Sequence, residues 1–511
     1  MPRTPLSSLL EVVPETEVTG NGEVAVTAVE CDSRRVRPGA LFAALRGWRE
    51  DGHRYLPQAI AAGATAVLSA EPRKDRAPEA TWVRAGDERA ALARIARRFH
   101  GDPDLRLALV GITGTKGKTT TAWLLESMVQ AAGGRPGGVG TVRIRVGSQH
   151  TPAWLTTPDA PALCGLLARM VEEDCSHAIV EVSSQALDQR RVEGLQFQVA
   201  VFTNLTQDHL DYHGTMEAYL DAKARLFRAL GKEAVAVLPA DDPVGARLAE
   251  LTRARVLTYA LGQTEGRAQN ACWTAPEIRV EPTEISLAQT RAVLRTPRGS
   301  LRVRTPLTGR HNLRNLAAAA AAAWGLGLPA EAIASGCLAV EPIPGRMERV
   351  DVGQPFLVVV DYAHTEDALR QTLASLRELT RGRLLCVFGC GGDRDRGKRA
   401  PMGAAAAAAA DQLFLTSDNP RGEDPLAILR EIERGVRRAS PNRPYEVLPD
   451  RAEAIRAAIC EARPGDAVLI AGKGHEREQI LADRRIQFDD REQARRALRS
   501  LARGRRAEGG A

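Results

Sequence analysis

"LRLALVGITGTKGKTTTAWLLESMVQAAGG", residues 105–134, holds a complete strand–loop–helix unit, and its reading decides the fold. The apolar run before the loop reads as a buried strand. After it, Trp123, Leu124, Met128 and Ala131 recur at helical spacing, and Gly133 and Gly134 stop the helix. Glycines in such a loop let backbone N–H groups turn inward around phosphate oxygens, and the helix N-terminus adds its positive end. Lys118 can reach the β- and γ-phosphates, and the Thr119 hydroxyl suits Mg²⁺. Five residues separate Gly111 from Gly117, with Gly114 among them, so the spacing is one longer than the common phosphate-loop pattern. The loop reads as a nucleoside triphosphate site; a purely structural glycine loop is the alternative.

Working outward, "HAIVEVSS", "VAVFTN" and "AVAVLP" are apolar, β-branched runs alternating with helical segments. Such runs imply a parallel sheet covered on both faces. After "EPIPGRMERV" a second series begins, with strands "PFLVVVDYA", "RLLCVFGC", "DQLFLTSD" and "DAVLIAG". Before residue 100, "QAIAAGATAVLSAE" reads as helix, glycine turn and strand, and "ERAALARIARRFHGDPD" as a helix followed by a linker. A chain of 511 residues exceeds one ordinary core. The fold class is therefore α/β in three domains, 1–101, 102–345 and 346–511, with the phosphate loop in the middle one.

Composition narrows the function classes. No apolar run approaches a membrane span and no secretion signal is apparent, so a cytoplasmic protein without membrane insertion is expected. The eight cysteines form no CxxC pair and read as reduced, mostly buried thiols, which argues against a zinc site. Residues 491–511 carry seven arginines against two glutamates and account for most of the net charge of +7. That tail reads as a frayed, solvated helix end. Nucleic acid is discounted as a partner, since aromatics are only 4% and no stacking motif is present.

In a parallel sheet, ligand groups gather at the carboxyl ends of strands. "AIVEVSSQAL" puts Glu181 at one such end and "VFTNLTQDHLDYHG" puts His209 beyond another. A carboxylate there can serve the phosphate loop's Mg²⁺; a strand polar group and a helix cap are the plain alternatives. In the last domain three strands run into "CGGDRDRGKR", "SDNPRG" and "GKGHE", which open on one rim if the strands are parallel. "DNPR" alone is turn chemistry. Beside the other two loops it reads as part of a pocket: Arg394 and Arg421 are fork-shaped donors for a carboxylate, while Asp418, Asn419 and Glu476 can accept ammonium protons. Both sets together suit an amino acid with an amine and a carboxylate at its far end.

The ordered motifs "TGTKGKTTT", "EVSSQALDQRRV", "TNLTQDHLDYHGTMEAYLDAKARLF", "GRHNLRNLAAA", "PGRME", "DYAHTED", "FGCGGDRDRGKR", "SDNPRG" and "AGKGHE" resemble those of the Mur ligases. These are ATP-dependent amide-forming enzymes of the peptidoglycan stem peptide, and the resemblance extends from "CDSRRVRPGALFAALRG" to "GKGHE". It implies a uridine-nucleotide-binding first domain, an ATPase-like second and a Rossmann-like third. It also implies a substrate carboxylate activated as an acyl phosphate, then attacked by an amine. The members with "DNPR" add meso-diaminopimelate to UDP-N-acetylmuramoyl-L-alanyl-D-glutamate. A lysine-adding member, folylpolyglutamate synthetase, a non-catalytic paralogue and a phosphate-loop hydrolase or motor are the rivals.

Residue roles follow from the resemblance. Gly114, Thr115, Lys116, Gly117, Lys118, Thr119 and Thr120 hold the ATP phosphates, with Asn312 and Asn315 on the adenine side, Arg346 on phosphate, and Asp361 and His364 nearby. Ser33, Thr156, Thr157, Ser183, Gln189 and Arg191 match positions that hold the sugar nucleotide. Arg394, Asp418, Asn419, Pro420, Arg421, Gly472 and Glu476 match the diaminopimelate site. Thr119, Glu181, His209 and Lys223 match metal and catalytic positions. Lys223 by itself reads as a solvated helix lysine; the resemblance makes it an N6-carboxylysine, a carbamate that serves a second Mg²⁺. Gln185 replaces the His of "VSSH", Glu366 replaces a Pro, and Trp48–Arg49 matches only weakly. The expected state is a monomer.

Overall fold

The computed structural model describes residues 3–47, 50–72, 80–262, 276–286 and 289–508, with side chains to residue 503, so Trp48 and Arg49 lie outside the described residues. The chain is α/β in three domains, each built on its own main sheet. The first sheet has five strands in the spatial order 17–19, 81–84, 66–69, 40–43 and 28–30, parallel except for 17–19. The second has 11 strands, and its parallel centre places Ala108–Thr113 between His177–Glu181 and Val199–Phe202. Antiparallel hairpins extend it on both sides, through Arg143–Val146 and Gln149–Pro152 at one edge and Ile278–Thr305 at the other.

The third sheet runs 348–349, 357–361, 467–471, 384–388, 412–415 and 445–447, parallel from the second strand onward. The three strands that enter the polar loops are therefore adjacent and point the same way. Apart from half-buried Gln412, their side chains are buried on both faces, the reason the sequence reads as apolar runs. The glycine turn in the first domain is also as expected: Leu56–Ala61 is helical, Gly63 takes φ +95°, and Ala66–Ser69 is a strand.

The helix Arg310–Gly325 packs an alanine-rich stretch, Ala317–Ala323, against the central sheet with every residue of it buried. Small side chains let helix and sheet approach closely. In the third domain Gly403 and Gly435 do the same for the helices Arg399–Ala409 and Pro425–Ala439: a Cβ on Gly435 would run into the Ala400 carbonyl, and one on Gly403 into that of Ile432.

Behind the third sheet lies a fully buried ion pair. Arg451 donates through Nε and Nη2 to the two oxygens of Asp490, each at 2.7 Å, and through Nη2 to the Ala471 carbonyl at 2.9 Å. The basic tail differs from its expected solvated state at its start. Asp490–Glu508 is one helix whose Ala494, Ala497 and Leu498 are buried, and Arg491 pairs with Asp489. An amphipathic half anchors it. The final residues, where fraying is expected, lie outside the described residues. Six of the seven described cysteines are buried or half-buried and none is paired; only Cys460 is exposed. No helix among the described residues is long and apolar enough to cross a membrane.

Gly435→Ala should cost about 1–3 kcal/mol, the usual penalty of overpacking, because the opposing atom is a backbone carbonyl that cannot rotate away. Thermal denaturation should show a lowered transition with an unchanged far-UV spectrum in the cold.

Candidate active site

The phosphate loop leaves the strand Ala108–Thr113 at the carboxyl edge of the central sheet. Gly114 and Gly117 adopt φ +143° and +87°, which L side chains rarely take, and a Cβ at Gly117 would strike Asn315 Oδ1. The neighbouring loop braces it. Asn204 accepts the Lys116 N–H at 2.9 Å and donates to the Lys116 carbonyl at 3.0 Å, and Thr203 Oγ1 donates to the same carbonyl at 2.6 Å. These two residues were not singled out in sequence, where they pass for ordinary polar groups after a strand.

Lys118 curls back over the loop and donates to the carbonyls of Gly114 and Thr115, at 2.9 and 3.0 Å, with no carboxylate partner among the described residues. Burial pushes its pKa down to about 8. Lys223, only 1% exposed, approaches from behind and donates to the same Gly114 carbonyl at 3.0 Å. Burial, with Lys118 close by, holds its ammonium well below the ordinary lysine range. It is no solvated helix lysine. The Tyr219 ring lies 4.3 Å from its Nζ. Lys116 is instead neutralised by Asp208 at 3.0 Å; burial opposes the Asp208 charge, but Lys116, His364 and His209 keep the carboxyl well below the usual range. Asp208 was missed in sequence because "QDHLDYH" offered His209 as the more conspicuous group.

Glu181 ends the adjacent strand, buried, with Oε2 accepting from Thr119 Oγ1 at 3.0 Å and Thr141 Oγ1 at 2.9 Å. Thr119 and Glu181 thus supply hard oxygen donors at the loop, a set that suits Mg²⁺ when phosphate oxygens and water complete its shell. The described residues contain no cluster of three or more His, Cys, Asp or Glu able to hold a metal alone. His209 sits in a left-handed conformation, φ 53°, with its ring 6.2 Å from that of Tyr219. Lys223 Nζ acts here as a donor to a carbonyl, and in its ammonium form it has no lone pair for a metal.

Three connected cavities surround these groups. The first, ≈ 480 Å³, lies between the second and third domains and is lined by Lys116, Gly117, Thr120, Asn312, Asn315, Arg346 and Asp361, among others. Asn312 Nδ2 donates to the Thr308 carbonyl and Asn315 Nδ2 to Asn312 Oδ1, which fixes both amides. Asp361 accepts the Met347 N–H at 2.7 Å and so holds the chain that presents Arg346. Arg346 reaches Thr119 Oγ1 at 3.4 Å, stacks 4.8 Å from the Tyr362 ring, and keeps a buried Nε without a partner. The second cavity, ≈ 230 Å³, joins Thr115–Thr119 to Thr156, Thr157, Glu181, Ser183, Arg191, His209 and His364. Thr157, Ser183, Gln189 and Arg191 form one hydrogen-bonded cluster there: Arg191 donates to the Thr157 carbonyl and to Gln189 Oε1, and Thr157 Oγ1 accepts the Ser183 N–H.

The third cavity, ≈ 720 Å³, runs from Thr156, Gln185, Gln189 and His209 to Arg394, Asp418, Asn419, Arg421, Gly472 and Glu476. Tyr362 lines all three. Arg394 and Arg421 have no carboxylate partner among the described residues and donate only to backbone carbonyls. Asn419, expected as an ammonium acceptor, has its oxygen already filled by Lys473 Nζ at 2.9 Å and the Ile480 N–H at 3.0 Å. Gly472, at φ +115°, would bring a Cβ within 2.6 Å of Asp418 Oδ2. Pro420 lines none of these three cavities; it precedes Arg421, which takes a left-handed conformation at φ 52°. Lys223 lies behind the loop and lines none of the three. Ser33 also lines none; it sits in the first domain, its hydroxyl donating to Gln58 Oε1 at 3.0 Å.

Comparison with known proteins gives a consistent picture. Residues 25–100 match the Mur ligase family catalytic domain, 112–323 the Mur ligase middle domain, and 345–474 the Mur ligase glutamate ligase domain. A UDP-N-acetylmuramoyl-L-alanyl-D-glutamate–2,6-diaminopimelate ligase of Geobacillus kaustophilus is 44% identical over 97% of this chain and 99% of its own. The protein of that name from Synechococcus elongatus is 47% identical over 93% of this chain and 94% of its own. A solved structure of a ligase with that name superposes with TM-score 0.68 at 33% identity, covering 97% of this chain and 99% of the other.

Gly117→Ala should weaken ADP binding by about 10–100-fold, since it forces a strained φ and displaces Asn315 together, at about 1–3 kcal/mol. Titration calorimetry against the parent protein checks this, with a melting curve to confirm that the fold survives.

Proposed function

The chain belongs to the Mur ligase family, and we propose that it is the ATP-dependent ligase that adds meso-diaminopimelate to UDP-N-acetylmuramoyl-L-alanyl-D-glutamate, releasing ADP and phosphate, in peptidoglycan precursor synthesis. The observation that carries the choice of amino acid is the third cavity. Two arginines without carboxylate partners among the described residues and the carboxylates of Asp418 and Glu476 meet at its far end. Diaminopimelate has both an amine and a carboxylate to satisfy them. Lysine lacks the distal carboxylate and would leave the arginines unpaired, which a site built for hydrogen bonding penalises strongly.

The three cavities then divide the labour. ATP occupies the first, with its phosphates over Gly114–Thr120, its adenine side toward Asn312 and Asn315, and Asp361 and His364 at its margin. The sugar nucleotide stretches from Ser33 in the first domain to Thr156, Thr157, Ser183, Gln189 and Arg191, which brings its D-glutamyl carboxylate to the second cavity. Diaminopimelate enters the third through Arg394, Asp418, Arg421, Gly472 and Glu476. The domains responsible meet near residues 102 and 345.

Carboxylate and triphosphate repel, so their approach needs fixed cations. Lys118 and Arg346 supply them from two domains, and neither has a carboxylate partner among the described residues. The D-glutamyl oxygen attacks the γ-phosphorus and ADP leaves. The diaminopimelate nitrogen then forms a bond to the activated carbonyl carbon, loses a proton, and expels phosphate. Thr119 and Glu181 would hold a Mg²⁺, which would add positive charge beside the phosphates. Lys223 is proposed to react as a neutral amine with CO₂, losing a proton to form the N6-carboxylysine that, with His209, would hold a second Mg²⁺. Its depressed pKa favours the neutral amine that this step consumes. The protein works as a monomer in the cytoplasm, where ATP and the nucleotide-linked sugar are present.

The test offers diaminopimelate and L-lysine separately to the protein with ATP, Mg²⁺ and the sugar nucleotide, and records phosphate release and product mass. A tripeptide product with diaminopimelate alone is expected; product with lysine alone would overturn the reading of the third cavity. Glu181→Gln should lower kcat by about 10²–10³-fold, the scale of losing one electrostatic group at a reacting phosphate. Intact mass in bicarbonate buffer should exceed the chain mass by one CO₂, and Lys223→Ala should abolish the increment.

A further inference from the structure

We propose that Lys473 is a positioning residue for selection of the acceptor amino acid: its buried ammonium ties Asn419 and Glu476 into one rigid unit that presents a single free Glu476 oxygen to the substrate. The inference rests on the third cavity being the diaminopimelate site. Lysine is almost never fully buried unless paired, yet Lys473 is 0% exposed. All its protons are spoken for. Nζ donates to Asn419 Oδ1 at 2.9 Å, Glu476 Oε2 at 3.0 Å and the Glu478 carbonyl at 2.6 Å.

The partners close the unit. Asn419 Oδ1 also accepts the Ile480 N–H at 3.0 Å, so both its lone pairs are used. Its Nδ2 donates to Glu476 Oε2 at 2.8 Å. Glu476 Oε2 therefore has two donors, one of them charged, while no hydrogen bond within the described chain reaches Oε1. A carboxylate clamped through one oxygen points the other in a fixed direction, so an incoming ammonium meets a preorganised acceptor. The arrangement also gives Asn419 a role other than touching the substrate through its oxygen. It passes the Lys473 constraint to Glu476.

Lys473→Met keeps the volume of the stem and removes the charge. KM for diaminopimelate should rise by about 10–100-fold, the value of charge-assisted hydrogen bonds, with kcat and KM for ATP near those of the parent. Asn419→Asp keeps an oxygen for Lys473 but turns the donor facing Glu476 into an acceptor, and should give the same KM-only defect in a protein that retains the buried lysine. Glu476→Ala and the double variant Lys473→Met/Glu476→Ala complete the cycle. If Lys473 acts through Glu476, the double variant is no worse than Glu476→Ala alone. Additive penalties, an unchanged KM for diaminopimelate, or losses confined to kcat or to KM for ATP would overturn the inference. Parent protein that makes no diaminopimelate product would instead overturn the function reading and take this one with it; an active parent with indifferent variants removes the lock alone.

Discussion

The Gly114 carbonyl accepts hydrogen bonds from two lysine side chains, half-buried Lys118 and fully buried Lys223. Cationic groups are costly in a low-dielectric site, and both lysines titrate lower than usual: burial lowers each, Lys116 and Arg346 add to the effect on Lys118, and Lys118 and Lys116 add to that on Lys223. The rest of the centre can be understood as answers to that crowding. Asp208 neutralises Lys116, so the loop carries one fewer unpaired cation. Thr203 and Asn204 hold the backbone so that the lysines cannot spread it. What remains uncompensated is the positive charge that anionic substrates bring to balance.

Parallel sheets explain how such groups come together from distant parts of the chain. Strands that point one way deliver their following loops to one rim. In the second domain this rim gathers the phosphate loop, Glu181 and the Thr203–His209 segment. In the third it gathers Arg394, Asp418, Arg421 and Glu476. The two rims face each other, and Arg346, with Tyr362 beneath its guanidinium, is where one passes into the other. Gly345 and Gly474 make the junction tight, since a Cβ on either would strike the backbone of the other's loop.

Much of this was legible in the sequence because buried parallel strands leave a plain signature, an apolar β-branched run followed by an irregular polar loop. The strands of the third domain and the loops after them were placed on that ground alone. Residue type was enough to single out Arg421 as a fork-shaped donor, but not to show that the oxygen of Asn419 was already used. An amide can donate or accept, and only the position of Lys473 decides which. Lys473 itself was invisible, a lysine among glycines. Lys223 shows the same limit from the other side: its helix is amphipathic, and nothing in the local pattern says that one lysine turns inward beneath a loop more than 100 residues earlier. The edge hairpins of the central sheet were likewise unread, because half-exposed antiparallel strands lack the continuous apolar run.

The order of strands in the third sheet has a consequence for how the protein is made. Ala467–Ala471, nearly the last strand in the chain, lies between Leu357–Asp361 and Leu384–Phe388, two of the earliest in that domain. Its neighbours do not pair with each other in the finished sheet, and Arg451 lacks its buried ion-pair partner until Asp490 has been synthesised. On the ribosome the first two domains can close as they emerge, whereas the third must hold open a slot with apolar walls until almost the whole chain is out. The strand that finally seals the slot is also the one that delivers the GKGHE loop, so the amino-acid pocket comes into being in the same event that completes the core.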